Sequence, residues 1–188
     1  MTFRPMLAAA LFGTALLASI AVPTALAKDG NRVERIRIRD NCDPKTFKAA
    51  NVPCAPVGGN VTFEKFIGFI SARPQHVLKE ENALGWRFSP DEAHVKRGTT
   101  LAVKNEGGEG HTFTRVTAFH DLGCIPPINQ AMFGTSAVDP LCPAPFVPPS
   151  PVLGPGDTAS PPLNQAGTYR FQCFIHPWMR TTVEVRSS

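Results

Sequence analysis

Beyond its first residues, the 188-residue chain lacks any apolar run long enough to cross a lipid bilayer. Residues 1–27 carry a basic Arg4, an apolar run and small residues at Ala25 and Ala27, a pattern typical of a cleaved secretory signal peptide. No cysteine stands at the expected cleavage point, so a bacterial lipid anchor is not predicted. We therefore expect an exported protein, periplasmic or secreted, that has no membrane span.

The sequence also lacks internal repeats and runs of basic residues. Lysines and arginines are scattered along a chain with a formal net charge of +4, so no nucleic-acid interface is expected. Removing the first 27 of the 188 residues leaves about 161, which is enough for one domain with a hydrophobic core. A single-domain monomer is the simplest expectation.

The cysteine count is odd. An exported chain with five cysteines is expected to leave one of them outside disulfides. Cys42 and Cys54 are close in sequence, as are Cys124 and Cys142, and each pair encloses a segment that contains proline. Three pairings of these four residues are formally possible, and proximity favours the two local ones. Cys173 is then the free thiol.

The segment that begins at Cys173 places a thiolate, an imidazole and a thioether at intervals of three residues, on Cys173, His176 and Met179. Copper that alternates between two oxidation states favours one thiolate and two imidazoles in a plane, with a weak axial thioether. The segment provides three of these four ligands. A thioether is a poor ligand for zinc, so copper fits this set better.

The second imidazole is predicted at His111, in a glycine-rich turn that follows an apolar strand pattern. A strand end followed by such a turn can aim a histidine into the interior. His76, His94 and His120 lie in polar or irregular contexts, where a solvated histidine is the default. The predicted ligands of one copper ion are His111, Cys173, His176 and Met179.

These residues make the chain resemble the cupredoxin family, whose type 1 copper is held by an upstream histidine and a C-terminal Cys…His…Met loop. The loop is similar to the amicyanin type, with two residues between Cys173 and His176 and then His-Pro-aromatic-Met. The resemblance covers residues 86–186 and implies an all-β, Greek-key β-sandwich. It also implies a one-electron carrier, not an enzyme, whose donor and acceptor are redox proteins.

The resemblance carries three finer expectations about the site. Most members have an asparagine or a similar polar residue after the upstream histidine, and here Thr112 is expected to take its place through its hydroxyl or backbone N–H. Pro177 has no N–H, so one hydrogen bond to the thiolate is expected to be missing, which would lower the reduction potential. Phe174, Pro177 and Trp178 are expected to form an apolar collar near His176, although Trp178 could equally be core.

The expected organisation has three parts: a signal peptide at 1–27, an N-terminal extension with a disulfide and a short helix at 28–85, and a cupredoxin-like copper-binding domain at 86–188. Alternating apolar residues predict the strands of that domain. Near its end, Tyr169 and Phe171 share the inward face with Cys173, and a final strand over residues 182–186 completes a hairpin.

A short helix and a long proline-rich insertion are expected besides the strands. Apolar residues within 63–70 recur at i, i+3, i+4 and i+7 after a cap at Thr62. Eleven prolines between residues 121 and 166 exclude long helices and central strands there. The Phe133 and Phe146 side chains are expected either to cover the metal end of the sandwich or, slightly favoured, to fill a small core of the insertion.

Other functions fit the sequence less well. A copper oxidase or nitrite reductase would require further copper centres, and the chain has no His-x-His pair. Copper sequestration or delivery, the runner-up, would favour exposed clusters of methionine and histidine, yet after residue 27 only Met132 and Met179 remain. A structural domain without copper comes third.

Overall fold

The structure, a computed structural model, describes residues 32–57, 59–80 and 83–187. The expected signal peptide, residues 1–27, lies outside the described residues. None of the helices formed by the described residues is long and apolar enough to cross a membrane.

The described residues form ten strands and four helices. The strands are β1 (Val33–Arg39), β2 (Arg87–Ser89), β3 (Glu92–Lys96), β4 (Thr100–Asn105), β5 (His111–Thr112), β6 (Thr114–Val116), β7 (Val152–Leu153), β8 (Thr158–Ala159), β9 (Gly167–Gln172) and β10 (Arg180–Arg186). The helices are α1 (Pro44–Ala49), α2 (Phe63–Ala72), α3 (Pro74–Glu80) and α4 (Pro126–Phe133).

Two four-stranded sheets, ordered β2-β1-β4-β8 and β3-β10-β9-β6, make up the sandwich. β1 runs parallel to β4, while β10 pairs antiparallel with β9 and parallel with β3. Their inward side chains share one core, which includes Ile36, Ile38, Leu101, Val103, Tyr169, Phe171, Val183 and Val185. The all-β sandwich and the inward face of β9 predicted from the sequence are thus confirmed.

Strand β1 lies in the segment expected to be an N-terminal extension, yet it is an inner strand between β2 and β4. Its alternation of arginine and isoleucine buries Ile36 and Ile38 completely and leaves the arginines on the outer face. A charged residue at every second position is what a strand with one solvated face requires. The division at residue 86 stays a prediction, whereas β1 itself is part of the sandwich.

Helix α2 begins where the sequence predicts. The Thr62 hydroxyl accepts a hydrogen bond from the Lys65 N–H at 3.3 Å, and Phe66 and Ile70 are buried on the face toward the core. The neighbouring helix α1 is capped by Asp43 and packs the Phe47 ring against α2 and Trp86. The two helices therefore lie over one end of the sandwich.

The proline-rich insertion contains the short helix α4, which ends at Gly134 in the left-handed conformation that glycine adopts readily. A small separate core is formed by Val116, Phe174 and the cystine Cys124–Cys142. The expectation that Phe133 and Phe146 fill this small core is wrong. Phe133 packs against the main core, and Phe146 is 61% exposed.

Both local disulfides predicted from the sequence are present, Cys42–Cys54 and Cys124–Cys142, and Cys173 is free and buried. Peptide mapping without reduction is expected to recover these two linkages. Cys173 should be alkylated only after unfolding, since its side chain is 0% exposed. A disulfide that includes Cys173 in freshly exported protein would contradict its assignment as a ligand.

Candidate metal centre

Two loops distant in sequence bring three metal-binding side chains together. His111 begins β5, Cys173 follows β9, and His176 lies in the turn between β9 and β10. Donor atoms of the three residues lie within 4.8 Å of one another. The His111 Nδ1 atom is 3.9 Å from Cys173 Sγ and 3.2 Å from His176 Nδ1. All three side chains are buried, with His176 the most exposed at 1%.

The loop from Cys173 to Met179 is closed by its own backbone. The Cys173 N–H donates to the Met179 carbonyl at 3.0 Å, and the Met179 N–H donates to the His176 carbonyl at 2.9 Å. These bonds bring the end of the loop back beside its beginning. Met179 is completely buried there, within the same core as Cys173.

The Cys173 sulfur accepts two backbone hydrogen bonds, from the N–H groups of Thr112 and His176, each at 3.4 Å. Thr112 therefore acts as the sequence suggests, and its hydroxyl also accepts from the Phe174 N–H at 2.8 Å, which ties the two loops together. The expected loss of a donor at Pro177 is offset, because the preceding amide of His176 reaches the sulfur instead.

The electrostatics of the site favour the thiolate form of Cys173. Burial on its own would raise the pKa of this thiol, but hydrogen bonds and positive charge from His111 and His176 lower it well below its ordinary value. A thiolate is the form of cysteine that binds metals.

Asp40 is a buried carboxylate that sequence reasoning missed, 71 residues away from the His111 ring that it contacts. Its Oδ2 lies 2.9 Å from His111 Nε2, and its oxygens accept from the N–H groups of Gly108 and Glu109, each at 2.9 Å. The carboxylate therefore leaves Nδ1 of the ring free to face Cys173. A carboxylate on the far nitrogen of a metal-binding histidine fixes the orientation and tautomer of the ring.

The Asp40–His111 pair changes the pKa of both partners. Burial would raise the pKa of Asp40, but the hydrogen bond and positive charge of His111, helped by two backbone N–H groups, lower it to about 2. Burial would likewise lower the pKa of His111, but the hydrogen bond that its ring donates to Asp40 and the proximity of Cys173 raise it to about 9. In the protein without metal, the two groups thus form a buried ion pair.

Glu109 stands in a similar relation to the second imidazole. It is 6% exposed, accepts from the Trp86 indole N–H, and its Oε2 lies 3.6 Å from His176 Nε2. Burial raises the pKa of this carboxyl. Both histidines therefore have a buried acidic group on the Nε2 side and present Nδ1 to the centre.

The glycine-rich turn before His111 is shaped by close backbone approach. A Cβ atom on Gly107 would overlap the Asp40 carboxylate, and one on Gly108 would crowd the Ala55 carbonyl. The buried Asn105 side chain holds the turn, accepting from the Gly107 N–H at 2.9 Å and donating to the Glu109 carbonyl at 2.8 Å. Residues without a Cβ let the turn reach Asp40 and so aim His111 inward.

Aromatic rings cover His176. The ring centroids of Trp178, Phe66 and Trp86 lie 5.4, 6.1 and 6.4 Å from that of the imidazole. Trp178 and Phe174 are 0% exposed and belong to the interior, so they form no exposed collar. For Trp178 this is the core alternative that the sequence left open. The cause is helix α2, whose Phe66 packs over the ligand loop.

One apolar pocket of about 480 Å³ leads toward His176 from the surface. Its walls come from α2 and α4, and the exposed Phe146 ring lies at the same pocket as Ile175 and His176. Of the two positions considered for Phe146, the metal end of the sandwich is therefore the one that the structure supports.

The chemistry of the three donors fits a copper ion. One thiolate and two imidazole nitrogens in a buried, preformed group are the in-plane donors of a blue-copper site. The described residues hold one other cluster of metal-binding groups, Asp40, Cys42 and Glu109. Its cysteine is in a disulfide, so that cluster offers two carboxylates that already serve the histidines.

No known family profile and no curated protein matches the chain. Among solved structures, it is similar to a purple cupredoxin from Nitrosopumilus maritimus, at 24% identity and a TM-score of 0.36, covering 54% of this chain and 83% of that one. It is also similar to a reduced Cu(I) form of an amicyanin variant, at 25% identity and a TM-score of 0.35, covering 53% and 73%.

A third similar structure is a copper-containing nitrite reductase from Thermus scotoductus SA-01, at 22% identity and a TM-score of 0.36. The match covers 54% of this chain but only 20% of that enzyme. The candidate metal centre is defined by the side chains of this chain alone.

Replacing Asp40 by asparagine should weaken metal binding. An amide offers one acceptor oxygen, so it cannot satisfy the two backbone N–H groups and the His111 ring as the carboxylate does. We expect the affinity for Cu(II), measured by competition with a chelator, to fall about 10- to 100-fold. Asp43→Asn is the matched control, since asparagine also caps helices well. Equal affinities in the two variants, with unfolding transitions like the wild type, would contradict the role of Asp40.

Proposed function

We propose that this protein binds one type 1 copper ion and carries single electrons between redox proteins. The proposed ligands are His111, Cys173, His176 and Met179. The observation that carries the proposal is the convergence of His111 Nδ1, Cys173 Sγ and His176 Nδ1 in a buried group. Met179 is proposed as the axial ligand from its place at the end of the closed loop.

Bound copper would supply the one-electron couple, and the residues of this chain would hold its surroundings constant. Asp40 keeps the His111 ring in one orientation, and Glu109 stands behind His176. The backbone bonds between Cys173 and Met179 close the loop. A site held by two sheets and by such bonds rearranges little between oxidation states, which is what rapid electron transfer needs.

Opposing charges around the site would set its reduction potential. Two N–H groups on the Cys173 sulfur withdraw charge from the thiolate and favour the reduced ion. The buried carboxylate of Asp40, whose pKa is lowered, adds negative charge and favours the oxidised ion. The two N–H donors alone would give a higher reduction potential than the missing donor at Pro177 predicts. The buried negative charge lowers the potential again.

Copper sequestration or delivery is the second candidate function, and burial of the site argues against it. A protein that hands its metal to another needs ligands that an incoming group can reach. Cys173 and His111 are 0% exposed, and His176 is 1% exposed. An enzyme function, for which a substrate would have to approach the metal, is disfavoured for the same reason.

We further propose that the protein works outside the cytoplasm, in the periplasm or as a secreted protein. Two disulfides in a small domain support an oxidising compartment. Residues 1–27 would be the cleaved signal peptide, and the mature chain would act as a monomer.

Titration of the metal-free protein with Cu(II) should reach one copper per chain and give an intense blue thiolate-to-copper band. Cys173→Ser should lose the band, because an alkoxide or hydroxyl cannot replace the thiolate donor. Metal analysis and an absorption spectrum measure both. Two coppers per chain, or colour that survives in the variant, would contradict the assignment.

Met179→Leu should remain copper-loaded and coloured but show a higher reduction potential, since loss of a weak axial donor disfavours the oxidised ion. Met132→Leu is the matched control, because Met132 is also buried but lies on α4. Voltammetry compares the two. A shift in Met132→Leu without one in Met179→Leu would place the axial ligand in the proline-rich insertion.

His111→Ala tests the upstream ligand in the same way. Without this imidazole, the site keeps one thiolate and one imidazole, so the affinity for copper or the blue colour should be lost. His94→Ala is a suitable control, since the half-exposed His94 ring lies between Glu92 and Glu184 on the second sheet. Intact colour and affinity in His111→Ala would show that another residue completes the plane.

A further inference from the structure

The outer side of the first sheet gathers basic residues that are spread along the sequence. Arg37 pairs with Lys104 of β4, and Arg39 pairs with Arg87 of β2. Directly paired residues lie on the same side of a sheet, and Arg35 follows at the same period. We call this surface the basic face; its cations are Arg35, Arg37, Arg39, Arg87 and Lys104. The expectation that basic residues are not clustered is therefore wrong in three dimensions.

The basic face accounts for the net positive charge of the molecule. Two carboxylates line it among the described residues: that of Glu106, which lies 3.2 Å from Arg39 Nη2 and 3.6 Å from Arg37 Nε, and that of Asp40 in the smaller groove. Five cations minus two anions give a local charge of +3, which equals the formal net charge of the chain after residue 27, where 18 lysines and arginines face 15 acidic residues. The remaining charges after residue 27 thus sum to zero, and the basic face carries a net positive charge that can attract an anion.

The basic face is concave. A groove of about 640 Å³ runs between Arg35, Arg37 and Lys104, and a second one of about 380 Å³ lies between Arg39 and Arg87. Glu106 lines both grooves, so they adjoin. Basic walls around a groove concentrate field lines and attract an acidic surface.

The basic face also leads to the candidate metal centre by a short covalent and hydrogen-bonded path. Arg39 is followed directly by Asp40, whose carboxylate is 2.9 Å from His111 Nε2. Asp40 lines the smaller groove together with Arg39. His176, in contrast, lies beneath aromatic rings and meets an apolar pocket, not a charged surface. The upstream histidine is therefore the ligand that is connected to a charged surface.

We propose that the basic face is the docking surface for an acidic redox protein, and that electrons pass through Asp40 and His111. This inference rests on the proposed electron-carrier function. Charge complementarity selects the partner: a surface with a local charge of about +3 attracts and orients a partner whose carboxylates surround its own redox centre. The contact is transient, because electrostatic steering mainly raises the rate of encounter.

The test compares electron transfer between the copper-loaded protein and two forms of one haem protein. Unmodified cytochrome c is basic, and succinylated cytochrome c is acidic; stopped-flow rates are measured at several ionic strengths, in the direction that the measured potentials allow. The face variant is Arg35→Gln/Arg37→Gln/Lys104→Gln. The matched control is Lys96→Gln/Arg97→Gln/Arg186→Gln, which removes the same charge from exposed positions of the other sheet.

With succinylated cytochrome c, the wild-type rate should fall steeply as salt increases. The face variant should lose about tenfold of the low-salt rate and most of the salt dependence, whereas the control variant should resemble the wild type. Equal losses in the two variants would overturn the docking face, because a loss of net charge alone would then account for both. A wild-type rate that is independent of salt would overturn it as well.

Two further outcomes distinguish a protein-docking face from a membrane-binding face and from a failure of the proposed function. Binding to phosphatidylserine vesicles that the face variant loses, with unchanged cytochrome kinetics, would assign the basic face to a membrane surface and overturn the proposal. A protein that binds no copper, or exchanges electrons with neither cytochrome, contradicts the proposed function itself. Normal copper binding and electron exchange without any effect of the face variant contradict the docking face alone.

Discussion

The hydrogen bond between Asp40 and His111 is the contact on which the candidate centre depends most. It joins the end of β1 to the glycine-rich turn and to an expected copper ligand, and it places a full negative charge in the interior. The neighbouring disulfide Cys42–Cys54 holds the same region, since the Ala55 N–H donates to the Gly108 carbonyl at 2.7 Å. The N-terminal strand, the disulfide and the ligand turn therefore form one supporting unit.

The centre is buried because helix α2, which also precedes residue 86, covers it. This burial limits what can reach a bound metal. Helix α2 places Phe66 over His176, and Trp178 fills the space beside it. A metal held in this way could exchange electrons through the protein, but substrates and other metal-binding molecules could not easily reach it. The apolar pocket at Phe146 and the basic face around Arg39 are then the two approaches that bring a partner near a ligand.

Sequence alone predicted the ligand loop, several strands and the disulfides, because those signals are local: Cys173, His176 and Met179 stand at fixed short spacing, and strands alternate. The sandwich itself was what the resemblance to a known family implied. It missed β1, since arginines at every second position hide a buried isoleucine face. Asp40, Glu109 and the cover by α2 were also missed. Those contacts join segments far apart in the chain, and no pattern of period or spacing encodes which carboxylate meets which ring.

X-ray absorption at the copper edge tests the central claim most directly, because it reports the atoms bound to the metal in both oxidation states. One thiolate sulfur and two imidazole nitrogens should form the inner shell of Cu(II), with distances that change little on reduction to Cu(I). A shell of nitrogen and oxygen without sulfur, or a large change in geometry on reduction, would contradict the assignment of a rigid type 1 copper site to His111, Cys173 and His176.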